Sequence, residues 1–259
     1  MPHAPGIEFQ RVTLSYRADT GETLALAGLG FSVAPGQSVA LIGPSGCGKS
    51  SALHLIAGLV RPSEGAVLVD GAPVARPRRT TALIPQQLGL FPWKTVLQNA
   101  AVGLSVRGVA RREAAERARS ALAEVGLSGF EQAYPRQLSG GMQQRLALAR
   151  ALALDVDLLL MDEPLSAIDA LLREQLQEQL VQLWRKTGHT QVMVTHSIEE
   201  AVYLGQRIIV LSGRPGSVVA DIANPQAATQ EWRDSAAFAA QCKQVRAALM
   251  GCGEAGAHD

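Results

Sequence analysis

The amino-acid sequence predicts an α/β fold, in which a parallel-sheet core carries an antiparallel β subdomain at its start and an inserted α-helical subdomain. Three observations predict it. Residues 7–16 and 23–33 are alternating, β-branched or aromatic segments separated by the turn-rich stretch 17–21, as an antiparallel opening requires. Residues 38–42 form a short apolar strand that leads through a glycine-rich loop into an apolar helical pattern at 52–59. After a long helical stretch, strands and helices alternate again at 158–161, 170–186, 191–194, 198–203 and 207–211, the pattern of parallel βαβ units.

The helical stretch covers residues 95–153, within a subdomain placed at about 92–153. Its clearest part is the charged, alanine-rich segment 111–125, and it breaks near Tyr134-Pro135. After Pro215 the pattern weakens, and only residues 232–250 suggest another helix before the glycine-rich end 251–259, which is expected to fray. Residues 1–225 are thus expected to form one domain and 226–259 a short helical extension. The arginine clusters at 76–79 and 107–112 read as solvated faces rather than anion sites.

At 259 residues the chain can bury a full α/β core. Lys plus Arg number 24 against 23 Asp plus Glu, so no global field draws the protein to nucleic acid or to an anionic surface. The sequence starts without a basic and then apolar region, and no run approaches the roughly 20 apolar residues that span a bilayer. A cytoplasmic protein is expected. The three cysteines, Cys47, Cys242 and Cys252, match no zinc spacing and suggest a reducing compartment.

Gly43, Pro44, Ser45, Gly46, Cys47, Gly48, Lys49 and Ser50 fit the pattern G-x-x-x-x-G-K-[ST] in its required context of strand, loop and helix. The glycines let backbone N–H groups converge on phosphate, Lys49 adds charge, and the Ser50 hydroxyl reaches magnesium. This makes the core a P-loop (RecA-like) domain that binds nucleotide phosphates, although the loop alone does not choose among kinases, GTPases and motor ATPases; the following carboxylates favour binding and hydrolysis of ATP. Residues 158–163 are an apolar strand that ends in two acids. A parallel sheet delivers such carboxylates to the edge where ligands bind. Asp162 would then hold magnesium and Glu163 would orient or deprotonate a water, although two acids capping the next helix is the alternative. Ser139, Gly140 and Gly141 open onto a helix and form a second anion-binding N-terminus, which one nucleotide cannot need from one subunit.

Over about residues 7–225 the sequence resembles the ATP-binding subunits of ABC transporters, whose signature motif residues 138–145 match. The resemblance implies two subunits sandwiching two ATP molecules, with the phosphate loop of each facing the signature of the other. It makes Tyr16 the aromatic that stacks on adenine and adds Ser51 to the nucleotide site. Gln86 becomes the glutamine that senses magnesium and γ-phosphate, Asp169 part of the loop coupling the two sites, and His196 the γ-phosphate contact. Departures are Pro85, Val156, Ile168 and Ser197, the last of which can still cap a helix.

One phosphate loop and one signature exclude a tandem arrangement, and the short insertion excludes a coiled-coil arm. Residues 134–137 resemble bacterial importers, and residues 90–93 and 212–216 resemble the nitrate, sulfonate and taurine branch. The expected function is ATP-driven uptake of a small anionic or polar solute through separate permease subunits, at the cytoplasmic face of the inner membrane, with a solute-binding protein as indirect partner and no nucleic acid. A soluble ABC module driving another process and a small-molecule kinase are the alternatives. Phe91 and Trp93 read either as docking residues for a membrane partner or as core packing.

Overall fold

The computed structural model describes residues 3–18, 21–166 and 170–254. Strands β1 (Ile7–Ala18) and β2 (Gly21–Val33) pair antiparallel, and β3 (Ser38–Ile42) leads through the glycine loop into α1 (Lys49–Ile56). Then come β4 (Glu64–Val69), β5 (Ala72–Pro73) and β6 (Thr81–Ile84), followed by α2 (Val96–Val106), α3 (Arg111–Glu124), the 3-10 turn Pro135–Gln137 and α4 (Gly140–Leu152). The chain continues through β7 (Leu158–Asp162), α5 (Ala170–Thr187), β8 (Thr190–Thr195), α6 (Ile198–Leu204), β9 (Arg207–Leu211) and β10 (Val218–Ala223). It ends in α7 (Gln230–Arg233) and α8 (Ala236–Glu254).

Two sheets result. One is antiparallel, in the order β2-β1-β4-β5, and the other runs β10-β9-β3-β8-β7-β6 with only β10 antiparallel. Every residue of β3, β7 and β8 is buried, the expected state of parallel strands covered on both faces. Alternate residues of the same strands enter different cores. Ala40, Ile42, Leu159, Met161 and Met193 join the core that includes α2 to α6 and α8. Val39, Leu41, Leu158, Leu160, Val192 and Val194 join the core under α1 and the antiparallel sheet, where the Phe9 and Phe31 rings stack at 4.4 Å. A period of two thus welds both layers to one sheet.

The structure adds four strands that the sequence reading does not contain. β4 and β5 complete the antiparallel sheet, and β6 and β10 are the two edges of the larger one. Each of β5, β6 and β10 is short or half-exposed, with Ile222 the one buried residue of β10, so none carries a long apolar pattern. The C-terminal helix also differs from expectation. Trp232 lies in the separate turn α7, Ser235 caps α8 by accepting the Phe238 N–H at 3.0 Å, and α8 runs past residue 250 to Glu254. Val245 and Cys242 bury α8 against α6 and β9. Among the described residues no helix is long and apolar enough to cross a membrane.

The chain between β9 and β10 folds back onto the glycine loop. Gly216 donates to Ala25 O at 2.9 Å and accepts from Ala27 N at 3.0 Å, and a Cβ placed on it would lie 2.0 Å from the Cys47 carbonyl oxygen. Neither backbone can yield cheaply. Gly216→Ala is expected to cost about 1–3 kcal/mol, the usual range for overpacking, measured as a lowered denaturant midpoint. An unchanged midpoint would show that the contact is not tight.

Candidate functional site

The glycine loop turns because of its glycines. Gly48 stands at the N-cap of α1 with φ 95°, and a Cβ there would meet Leu26 Cδ2 at 2.6 Å and Ala25 O at 2.9 Å. No side chain caps α1, so the N–H groups of its first turn remain available to an anion, with the positive end of the helix dipole behind them. Lys49 is buried, and its Nζ donates to the carbonyls of Gly43 and Pro44, each at 2.9 Å. Cys47 is fully buried beneath the loop, and burial pushes its thiol up while the nearby Lys49 charge opposes the shift. The loop also contains Ser45 and Gly46, the latter with φ 78°. Tyr16, near the end of β1, shares a 3.0 Å hydrogen bond between its hydroxyl and Ser51 Oγ, leaving the ring partly exposed beside α1.

β7 delivers the two acids to the same sheet edge. Asp162 is buried, and its Oδ1 has no hydrogen-bond partner. Burial raises its carboxyl pKa, a shift reduced by a hydrogen bond with Ser50. An orphaned carboxylate oxygen beside a serine hydroxyl is a donor set suited to a small hard cation such as magnesium.

Glu163 has φ 48°, a left-handed conformation uncommon for a non-glycine residue. The conformation is over-determined. Its N–H donates to Val194 O at 2.9 Å, and its carbonyl accepts from Ser166 N at 3.3 Å and Ser166 Oγ at 3.1 Å. Its carboxylate accepts from Gln86 Nε2 at 3.1 Å and lies 3.4 Å from His196 Nδ1. Three residues far apart in sequence therefore meet at one carboxylate. The alternative of two acids acting only as helix caps does not describe this geometry.

His196 follows β8, and its neighbours Thr195 and Ser197 belong to a network with Glu200 that sequence reasoning missed. Thr195 Oγ1 bonds the buried Glu200 carboxyl and accepts the Ser197 N–H at 3.1 Å, while Ser197 caps α6 by accepting the Glu200 N–H at 3.2 Å. Burial pushes the Glu200 carboxyl up. No pattern in the sequence separates Glu200 from its exposed neighbour Glu199. The capping expected of Ser197 is present.

Ser139 caps α4 by accepting the Met142 N–H at 3.3 Å, with Ser139 and Gly140 exposed and Gly141 buried. Among the described residues no hydrogen bond or ion pair joins these three to residues 43–51, Gln86, Asp162, Glu163 or His196. Asp169, with its neighbours 167 and 168, lies outside the described residues. Trp93 is 71% exposed and tilts against Phe91 at 5.6 Å, so it is no part of a core.

The family model described as "ABC transporter" matches residues 26–166. The "Taurine import ATP-binding protein TauB" of Burkholderia pseudomallei (strain 1710b) is 48% identical over 211 residues, covering 82% of this chain and 81% of that protein. A putative ATP-binding protein of Brucella abortus biovar 1 is 44% identical over 238 residues, covering 91% of this chain and 90% of that protein. Among solved structures, the dimeric, post-hydrolysis ATP-binding cassette MJ0796 bound to ADP and Pi superposes with a TM-score of 0.77 at 32% identity, covering 84% of this chain and 98% of that one. With its glycine loop and acidic strand in one fold with these relatives, the chain belongs to the ABC transporter family, as one of its ATP-binding and ATP-hydrolysing subunits.

Proposed function

We propose that this chain energises a bacterial importer, coupling ATP binding and hydrolysis in a nucleotide-sandwich dimer to uptake of a small anionic or polar solute of the nitrate, sulfonate or taurine type. The observation that carries the ATPase half of this reading is the meeting of Gln86, Glu163 and His196 at the edge of the sheet that holds the glycine loop. The taurine import relative supports the solute class. Separate permease subunits would receive the motion and a solute-binding protein would deliver the cargo, with this chain at the cytoplasmic face of the membrane. The exposed Trp93 and the adjoining Phe91 offer an aromatic surface for the permease. Residues 1–225 would act as the ATP-binding domain, with residues 92–153 as its signature subdomain and 226–259 as an appended helical segment.

Each residue has a task in this scheme. The Tyr16 ring stacks on adenine, and the N–H groups of the loop and Lys49 bind the phosphates. Ser50, Asp162 and Gln86 would hold magnesium, which when bound neutralises charge on the β- and γ-phosphates. Glu163 orients the attacking water and accepts its proton, and His196 contacts the γ-phosphate. Asp169 couples the two sites. Ser139, Gly140 and Gly141 complete the site of the other subunit, which agrees with their separation from the cluster on their own chain. The dimeric state of the ADP-bound relative supports this division.

Glu163→Gln should keep ATP affinity but lower turnover roughly 10²- to 10⁴-fold, the usual worth of a positioned base, and accumulate a dimer on size exclusion with ATP and magnesium. Turnover at the parent rate would remove Glu163 from this role.

Ser139→Arg and Lys49→Ala should each abolish hydrolysis alone. Mixed together they should regain part of it, because the mixed dimer contains one site with an intact loop and an intact signature. A mixture as inactive as its components would argue against the sandwich.

A further inference from the structure

Arg150 lies in the last turn of α4, the helix that begins at Ser139. Its Nη1 donates to Gly89 O at 2.7 Å and its Nη2 to Leu88 O at 2.5 Å. Among the described residues no carboxylate pairs with it, and burial lowers the pKa of the guanidinium. Placing a cation in a half-buried position against two carbonyls alone is costly, so the contact calls for a reason beyond general stability.

The same loop is gripped a second time. Asn99 of α2 is fully buried, and its Nδ2 donates to the carbonyls of Phe91 at 3.1 Å, Lys94 at 3.0 Å and Thr95 at 3.0 Å while its Oδ1 accepts Phe91 N–H at 2.8 Å. Residues 88–95 are therefore fastened to α2 and α4, both in the helical insertion. Gln86, two residues earlier, is bonded to Glu163 at the end of β7 in the parallel sheet. Gln87 alone separates the part of the chain held by the sheet from the part held by the insertion.

We propose that Arg150 is a positioning residue that makes residues 88–95 move as one body with α4, so that a displacement of the Ser139 end of that helix reaches Gln86 and its contact with Glu163. The planar fork is what suits it to the task. Two parallel N–H groups on two successive carbonyls fix both distance and orientation, whereas the ammonium of a lysine would hold one point. The fastening itself stands on the hydrogen bonds, and only its consequence for turnover rests on the proposed function.

Hydrogen exchange followed by mass spectrometry on the full chain without nucleotide tests the fastening directly. In Arg150→Ala, amide exchange at residues 88–95 should accelerate roughly tenfold or more, while β3, β7 and residues 140–148 of α4 keep the parent rates. Arg150→Lys should fall between the two. With ATP and magnesium, the parent should change protection at α4 and at residues 88–95 together, and Arg150→Ala should lose the change at 88–95 while retaining that at α4. Its kcat should drop about tenfold with the KM for ATP within roughly twofold, since the phosphate loop is untouched. Unchanged exchange at 88–95 in both variants, or acceleration spread evenly over the chain, would overturn the proposal. If the parent chain failed to hydrolyse ATP, the proposed function would fall while the nucleotide-free exchange would still decide the role of Arg150.

Discussion

Strands β3, β7 and β8 are buried along their whole length, and that burial fixes where the protein can carry charge. A parallel strand covered on both faces tolerates polar side chains only at its ends. The glycine loop therefore begins where β3 stops, Asp162 and Glu163 come at the end of β7, and His196 follows β8. Parallel pairing puts those three ends on one edge, since Ile42 aligns with Thr195 and Asp162 with Val194. The cluster around Glu163 is in this sense a consequence of the sheet.

That logic also explains what was legible in the sequence. β3, β7, β8 and β9 read clearly because each contains a run of three or more consecutive apolar residues, and the loop at residues 43–50 read clearly because few other tasks need three glycines, a lysine and a serine at that spacing. Asp162, Glu163 and His196 became legible by their position after those runs. β6 and β10 did not, because an edge strand needs few buried residues. Thr195, Glu200 and Gly216 were out of reach for another reason. Their importance lies in contacts across the fold, such as the approach of Gly216 to the Cys47 carbonyl, and leaves no periodic trace.

The helical insertion follows different rules from the sheet. Its interior mixes small and large residues, with Ala114, Ala118, Ala121, Ala147 and Ala149 buried beside Leu104, Leu122, Leu127 and Leu146, so α2, α3 and α4 approach closely around a leucine core. Its ties to the rest of the chain are apolar as well as polar: α4 shares the core that holds Ala40, Ile42, Leu159 and Met161, and Lys186 pairs with Glu124 at 3.0 Å in a largely exposed contact. Exposed ion pairs contribute little, about 0–1 kcal/mol. The apolar contact of α4 with the sheet, rather than that surface pair, therefore holds the insertion to the core.

Asp162 carries a desolvation cost at the sheet edge beside the glycine loop. Burial raises its carboxyl pKa above the value in an unfolded chain, so the proton-bound form favours the fold. As pH rises through the folded pKa the proton leaves, and the bare charge then stands with one oxygen unpartnered beside Ser50. The charged form of this carboxyl therefore carries a desolvation cost in the fold that a proton or a cation at that oxygen would remove. A cation arriving with a phosphate group would relieve it while the loop's N–H groups and Lys49 take the negative charge. Under the function proposed above, binding at the loop and relief of that desolvation cost would be one event, and occupancy of the site would raise the stability of the domain around it.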